Sequence, residues 1–295
     1  MAQQSKNGLT TAQIIASFGR RFIVRTDEGN IYEATTRKKR IDFACGDQVH
    51  INPINEQQVV IEDYLPRHSL LYRQDATRSK LIAANVTLIL IVLAAVPTPS
   101  EMLLQRALLA AEAAEIKPLI VLNKADVSEN ILWLDKFKFY QSLGYDLINV
   151  SALADVTQLR KRLQNECAIL LGQSGMGKST LTNALLGHHQ ARVGDISTAL
   201  DSGRHTTTHA QLYDLDDHSQ LIDSPGLQAF GLHHLHVTNL LDYLPDMRPY
   251  IGKCRFHNCS HRQEPGCAIK QAVEEHKIKQ ERLQFLQNIT NELSG

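Results

Sequence analysis

Residues 172–179 decide the fold, and they read Gly-Gln-Ser-Gly-Met-Gly-Lys-Ser. They have the spacing of a P-loop and lie between an apolar run, Ala168–Leu171, and a segment of helical composition, Thr180–Leu186. The glycines allow backbone N–H groups to turn inward around a β-phosphate, where side chains would obstruct them. We therefore predict a nucleotide site in an α/β domain. The predicted phosphate-binding residues are Gly172, Gln173, Ser174, Gly175, Met176, Gly177, Lys178, Ser179 and Thr180.

The P-loop predicts a magnesium ion beside the phosphates. Lys178 is expected to reach the β- and γ-phosphates and to act in catalysis, and the Ser179 hydroxyl is expected to bind Mg²⁺. Further along, the apolar run Gln220–Ile222 leads into an Asp-Ser-Pro-Gly motif. In this motif we expect Asp223 to hold the Mg²⁺ shell through water and the Gly226 N–H to contact the γ-phosphate.

A polar segment between these motifs supplies further hydroxyl groups. Residues 203–208 read Gly-Arg-His-Thr-Thr-Thr, a pattern that favours a switch loop carrying the second protein ligand of Mg²⁺. We predict Thr207 for that position and as a catalytic residue, with Ser179 as the first ligand. On the pattern alone, Thr206 and Thr208 fit equally well.

Specificity for the base is predicted from a motif that precedes the P-loop. Asn123-Lys124-Ala125-Asp126 follows the apolar strand Pro118–Leu122. A carboxylate at Asp126 can accept hydrogen bonds from both the N1–H and the N2 amine of guanine, whereas adenine offers no such pair, so the motif favours GTP over ATP. Backbone contacts to the guanine oxygen are expected after the next strand. The predicted base-site residues are Asn123, Lys124, Asp126, Ser151 and Ala152.

The order of the motifs is that of a circularly permuted GTPase. Ordinary GTPases run P-loop, switch threonine, DxxG, NKxD and SA, whereas here NKxD and SA come first. This order, together with the string at 203–208, resembles the ribosome small-subunit-dependent GTPase A family (RsgA, also YjeQ). The resemblance extends over the whole chain and implies GTP as substrate and a role in late maturation of the 30S ribosomal subunit.

The first 75 residues or so have the pattern of a small β-barrel. Phe22–Arg25 and Ile31–Thr35 flank a hairpin turn, and further short strands are predicted at Gln48–Ile51 and Val59–Tyr64. About five such strands suit an OB-fold or an SH3-like barrel. The basic run Arg37–Arg40 is either a solvated loop or a contact for RNA phosphates. The family resemblance implies the OB-fold.

A metal site is predicted near the C-terminus. Three cysteines and a histidine within fourteen positions have the spacing of a closed tetrahedral zinc site, which would stabilise a tail too small for a core of its own. His257 is an alternative donor, and the spacing of the resembling family selects His261. Cys45 and Cys167 stand apart and are expected to be buried. The predicted ligands of one structural Zn²⁺ are Cys254, Cys259, His261 and Cys267.

The catalytic machinery is the least determined part of the pattern. Many GTPases carry a glutamine directly after DxxG, but this chain has Leu227 there, with Gln228 one position later. A slow intrinsic rate of about 10⁻⁴ to 10⁻³ s⁻¹ is therefore expected. The resemblance implies a catalytic histidine beyond this motif, at His234, and the adjacent His233 is an alternative.

Composition excludes several classes of protein. Of the 295 residues 43% are hydrophobic, which rules out a largely disordered chain. The 31 basic residues balance 31 acidic ones, so overall charge alone predicts no nucleic-acid partner, although it still allows a local basic face. The polar residues 1–6 show no signal-peptide core. The run Leu81–Val96 is shorter than the roughly 20 residues of a membrane helix and contains Asn85 and Thr87. We expect a cytoplasmic protein with no membrane partner.

The predicted organisation has three parts: an OB-fold barrel at 1–78 that binds RNA, a permuted GTPase at 79–237, and a zinc-binding α module at 238–295. The expected partners are GTP and GDP, the 30S subunit and its 16S rRNA, and the chain is expected to be a monomer. Two other functions fit the same motifs. One is an RNA-binding scaffold with a structural nucleotide, and the other is a permuted GTPase of large-subunit assembly.

Overall fold

The computed structural model describes residues 10–37, 43–74, 79–187, 210–224 and 231–294. The strands within these ranges are β1 (Thr10–Phe18), β2 (Arg21–Thr26), β3 (Ile31–Thr36), β4 (Gln48–Pro53), β5 (Gln58–Tyr64), β6 (Leu70–Gln74), β7 (Ser79–Ala84), β8 (Leu88–Leu93), β9 (Lys117–Leu122), β10 (Asp146–Asn149), β11 (Cys167–Leu171), β12 (Ala210–Asp214) and β13 (Gln220–Asp223). The α-helices are α1 (Glu101–Ala113), α2 (Asn130–Ser142), α3 (Thr157–Arg162), α4 (Lys178–Leu186), α5 (Ala268–Glu274) and α6 (Gln280–Ser294). Two 3₁₀ segments cover Val237–Tyr243 and Arg248–Tyr250.

The first five strands close into a barrel. The pairing runs β1-β2-β3-β5-β4 and returns to β1, with β3 and β5 parallel and the other pairs antiparallel. This topology confirms the OB-fold and not the SH3-like alternative. The inward-facing side chains form the barrel core, namely Ala12, Ile14, Phe22, Val24, Ala34, Phe43, Val49, Ile51, Val59 and Ile61. Most of the basic run at 37–40 lies outside the described residues.

The second half of the sheet is the core of the α/β domain that carries the predicted nucleotide motifs. Its order is β10-β9-β8-β11-β13-β12, in which only β12 runs antiparallel to its neighbours. Strand β8 is buried on both faces, because Ile89 and Ile91 point to one hydrophobic cluster while Leu88 and Leu90 point to the other. A sheet covered on both faces explains why this strand is a continuous apolar run rather than an alternating one.

The parallel arrangement brings the predicted motifs to one edge. The carboxyl ends of β9, β10, β11 and β13 lead respectively to Asn123, Ser151, Gly172 and the end of β13 at Asp223. Strands that run in the same direction end on the same side of a sheet, where open α/β folds bind ligands. Four motifs scattered over 100 residues of sequence thus share one edge.

The C-terminal segment packs on the α/β domain rather than standing apart. Helix α6 places Phe285, Leu286 and Ile289 in the same hydrophobic cluster as Leu104 and Leu108 of α1. No helix in the described ranges is long and apolar enough to cross a lipid bilayer.

A buried ionic group fastens α6 to its neighbours. Arg282 is 2% exposed and donates to both carboxylate oxygens of Asp246, at 2.9 and 2.7 Å, and to Gln105 Oε1 of α1 at 3.0 Å. The hydrogen bonds and charge of Asp246 outweigh burial and raise the pKa of Arg282. A fully paired guanidinium fixes how α6 sits on α1, because any shift would leave a buried charge unpaired.

Candidate nucleotide and metal sites

The P-loop has a backbone that only glycine adopts without strain. Gly172, Gly175 and Gly177 have φ values of +154°, +81° and +86°. A Cβ atom at Gly172 would lie 2.3 Å from the Val92 carbonyl oxygen, and one at Gly177 would lie 2.4 Å from Asn123 Nδ2. The loop therefore packs directly on β8 and on the base-site motif, and it leads into the N-terminus of α4, whose free N–H groups favour a phosphate.

Lys178 and Asp223 lie close together at this edge of the sheet. The ammonium of Lys178 donates to the carbonyl oxygens of Gly172 at 2.6 Å and Gln173 at 2.9 Å. Burial lowers the pKa of Lys178 and raises the pKa of Asp223, while each charge opposes the shift of the other. A cation and an anion thus flank the phosphate loop, and the hydroxyl-bearing residues Ser179 and Thr180 beside them are exposed.

Asn123 connects the phosphate side to the base side. Its side chain is buried, with Nδ2 donating to the Met176 carbonyl oxygen at 3.0 Å and Oδ1 accepting from the Ala152 N–H at 3.1 Å. Lys124 makes a second connection between the two motifs, because its ammonium donates to the carbonyl oxygen of Gly175 in the P-loop at 2.8 Å. The same ammonium donates to the carbonyl oxygen of Val96 at 2.7 Å. The predicted base motif therefore also holds the P-loop in place.

Asp126 is the exposed member of the base motif. The Ser151 hydroxyl donates to its carboxylate at 2.5 Å, and this hydrogen bond lowers the pKa of Asp126. The group is therefore an ionised double acceptor at neutral pH, as a guanine site requires.

Two polar side chains at the site, Asn130 and Gln173, make contacts that have no signal in the sequence. Asn130 at the start of α2 donates to the Asn123 carbonyl oxygen at 2.7 Å and accepts from the Ala95 N–H at 2.9 Å. On the phosphate side, Gln173 Oε1 accepts from the Ser100 N–H at 2.8 Å, which joins the P-loop to the start of α1. Both contacts depend on tertiary neighbours that no local motif encodes.

The cysteine cluster has the dimensions of a tetrahedral metal site. The four ligand atoms of Cys254, Cys259, His261 and Cys267 lie within 4.8 Å of one another. The edges from Cys254 Sγ to Cys267 Sγ and to His261 Nδ1 are 4.0 and 3.7 Å, and His261 Nδ1 lies 3.4 Å from Cys267 Sγ. With Zn–S bonds near 2.3 Å, a tetrahedron has edges of about 3.8 Å. The donors therefore fit zinc, with His261 presenting Nδ1.

Similarity to known proteins decides the family. A family model described as RsgA GTPase matches residues 64–233, more than half of the chain. The small ribosomal subunit biogenesis GTPase RsgA of Neisseria meningitidis serogroup C (strain 053442) is 67% identical over 285 residues, covering 97% of this chain and 93% of that relative. The chain belongs to the RsgA GTPase family. The resemblance inferred from the motif order is thereby confirmed, and the chain is a GTPase.

Solved structures agree with the RsgA fold. YjeQ from Thermotoga maritima has a TM-score of 0.73 at 25% identity and covers 97% of this chain and 99% of its own. YloQ, described as a circularly permuted GTPase, has a TM-score of 0.70 at 23% identity, covering 100% of this chain and 98% of its own. The predicted permutation is confirmed at the level of the fold. In an RsgA GTPase the nucleotide is GTP, and a Mg²⁺ ion bound to its phosphates would stabilise the charge that develops during hydrolysis.

Several predicted RsgA site residues lie outside the described ranges. Gly226 of the Asp-Ser-Pro-Gly motif is among them, as are Leu227 and Gln228. So is the whole string 203–208 with Thr207. The assignments made for these residues remain predictions.

His234, the predicted catalytic histidine of this RsgA chain, lies against the β6–β7 hairpin. Its ring centroid is 4.3 Å from that of Tyr72, and its Nδ1 is buried with no hydrogen-bond partner among the described residues. Burial lowers the pKa of His234, which favours the neutral imidazole. The alternative, His233, faces α6 instead, with Nε2 3.9 Å from Glu292 Oε1.

Proposed function

We propose that this GTPase binds the small (30S) ribosomal subunit and assists its late maturation, with hydrolysis stimulated by the subunit and driving release. The main support for this proposal is the 67% identity, over 97% of the chain, to a relative named as a small ribosomal subunit biogenesis GTPase. In this proposal the protein is a cytoplasmic monomer, and its barrel contacts 16S rRNA. The OB-fold supports that contact, since barrels of this topology bind nucleic acids through their strands and loops.

In this proposal three parts of the chain have separate roles: residues 1–78 contact RNA, residues 79–237 bind GTP, and residues 238–295 bind zinc. We assign the base to Asn123, Lys124, Asp126, Ser151 and Ala152, and the phosphates to the loop 172–180. Ser179 and Thr207 bind Mg²⁺, Asp223 holds its water shell, and Gly226 contacts the γ-phosphate. The catalytic residues are Lys178, Thr207 and His234.

Cosedimentation tests the link between nucleotide and subunit. The permutation makes the chain leave the GTPase directly after the Asp-Ser-Pro-Gly motif, so the C-terminal module is tied covalently to a γ-phosphate-sensing segment. We expect a non-hydrolysable GTP analogue to give tighter binding to purified 30S subunits than GDP, by about 5- to 150-fold. Equal affinity in the two nucleotide states would contradict the proposal.

Zinc in the C-terminal module gives a separate prediction. Cys259→Ser removes one of the four donors, so we expect zinc content to fall and the packing of the C-terminal module to loosen, while GTP affinity stays nearly unchanged. Metal analysis of the purified protein and limited proteolysis measure the two effects. Cys167→Ser is the matched control, because Cys167 lies on β11, outside the cluster. Wild type with less than about half an equivalent of zinc would count against the site.

Substitution of His234 separates binding from turnover. His234→Ala removes a neutral imidazole but no phosphate or base contact, so GTP affinity and 30S binding should be retained. Stimulated hydrolysis should slow by about 10²- to 10⁴-fold, the contribution of a general base, and the variant should accumulate on the subunit. Single-turnover phosphate release with 30S measures the rate. The control is His233→Ala, and an equal loss there would reject the assignment of His234.

A further inference from the structure

The barrel and the GTPase share a strand edge that ends at the magnesium side of the site. Strand β1 of the barrel pairs with β12, with Ala16 opposite Gln211 and Ser17 opposite Ala210. Gln211 in turn pairs with Asp223 of β13. One row across the sheet therefore runs from a barrel residue through Gln211 to the carboxylate proposed for the Mg²⁺ shell.

A polar cluster joins the same two bodies at the other end of the β12–β13 hairpin. The Arg25 guanidinium of β2 donates to both carboxylate oxygens of Asp214 on β12, one of them at 2.9 Å. Gln220 of β13 donates to Asp214 Oδ1 at 3.1 Å, and its amide exchanges two 3.0 Å hydrogen bonds with that of Gln13 on β1. Burial raises the pKa of Asp214, but Arg25 outweighs it and the net shift is downward.

This hairpin connects the two segments to which we assign the Mg²⁺ contacts, one with Thr207 and one with Asp223. Strand β12 begins at Ala210, directly after the part of the chain that contains Thr207, and β13 ends at Asp223. Between barrel and hairpin lies an open polar cleft of about 610 Å³, lined by Arg25, Asp214 and both glutamines among others. Elsewhere along the same contact, Ile15 and Ile23 of the barrel share a buried apolar cluster with Leu212 and Ile222 of the hairpin, so the polar cluster adds directional contacts to a packed interface.

We propose that Arg25 and Asp214 are positioning residues that couple occupancy of the barrel to the magnesium side of the GTP site. We call the Arg25–Asp214 ion pair the clamp. When RNA holds the barrel in one position, the clamp holds the β12–β13 hairpin against it. The hairpin in turn positions Asp223 at the end of β13 and the start of β12 at Ala210, which the segment with Thr207 precedes. The side chains of Arg25 and Asp214 are 26% and 42% exposed, so solvent partly screens their charges, while the two parallel hydrogen bonds fix the direction of the contact. This inference rests on the proposed action at the small subunit.

The test measures GTP hydrolysis with increasing concentrations of purified 30S subunits. For Arg25→Ala and for Asp214→Ala, we expect intrinsic hydrolysis and GDP affinity to stay within about twofold of wild type, while maximal stimulation falls by about fivefold or more. The subunit concentration for half-maximal stimulation should change little for Asp214→Ala, since this side chain is an anion and no ligand for RNA phosphates. The double variant R25D/D214R should recover most of the stimulation. Arg162→Ala is the control, because its pair with Asp146 lies at the far edge of the sheet.

The outcomes separate the clamp from the function on which it rests. Wild-type stimulation that persists in both single variants would overturn the clamp and leave the proposed function standing. Loss of stimulation without recovery in the charge-exchanged variant would also overturn it, as would an equal loss of intrinsic hydrolysis. A wild-type protein that small subunits do not stimulate would overturn the proposed function and the clamp together.

Discussion

Replacing Asp126 with asparagine is expected to change the preferred base from guanine to xanthine. The Asp126 carboxylate is ionised and exposed, so it can accept from both guanine donors. An asparagine side chain has one acceptor and one donor group, and its NH₂ can donate to the additional carbonyl of xanthine. A site built around a hydrogen-bonded group rejects an analogue that leaves it unpaired by about 10⁴- to 10⁵-fold. We expect a shift approaching that size in the ratio of GDP to XDP affinity.

Titration with the two diphosphates measures this change, and Asp155→Asn is its control. Asp155 lies in the adjacent loop, which follows β10 and carries Ser151, and it is also exposed, but its carboxylate accepts from the Thr157 N–H at the start of helix α3. The Asp155→Asn variant should keep the wild-type preference for guanine over xanthine. If the wild-type protein bound ATP and GTP equally, the assignment of the base motif would be wrong.

Removal of the P-loop lysine is the second large effect. Lys178→Ala deletes the cation that the loop carbonyls of Gly172 and Gln173 hold beside the phosphate site. Loss of one preorganised electrostatic contact costs about 10²- to 10³-fold in turnover, and we expect a loss of that order. Burial already lowers the pKa of Lys178, and a negatively charged phosphate should raise it again. Single-turnover hydrolysis at saturating GTP measures the chemical step.

Ser179→Ala distinguishes the metal contact from the phosphate contact. Its defect should depend on Mg²⁺ concentration, because the lost hydroxyl is a proposed Mg²⁺ ligand, whereas the Lys178→Ala defect should not. Lys161→Ala, at an exposed position on α3, controls for loss of surface charge. Unchanged turnover in both P-loop variants would end the assignment of this loop to catalysis.

The family and the permuted fold could be predicted from sequence because their signals are local. The P-loop, the base motif and the cysteine cluster each need only a few adjacent positions, and their order alone indicates the permutation. The buried strand β9 was predicted correctly from its apolar run. The motifs follow the carboxyl ends of parallel strands, and such ends meet at one edge of a sheet, so the location of the site could also be expected.

The elements that could not be predicted from the sequence depend on partners that are far away along the chain. Strands β1 and β12 were not predicted, and they pair with each other across nearly 200 residues of chain. Asn130 lies in an ordinary helix start, and only tertiary contact makes it a support for Asn123. Likewise, Arg282 reaches Gln105 over a separation of 177 residues, so the attachment of α6 to α1 has no local pattern.

Phosphate release from GTP, with and without purified 30S subunits, tests the central claim most directly. The account predicts slow intrinsic turnover, about 10⁻⁴ to 10⁻³ s⁻¹, and stimulation of about 10²-fold or more by 30S subunits. It also predicts no comparable stimulation by 50S subunits. Equal rates with and without 30S would instead indicate a scaffold with a structural nucleotide, and stimulation by 50S alone would indicate large-subunit assembly. Either result would contradict the account.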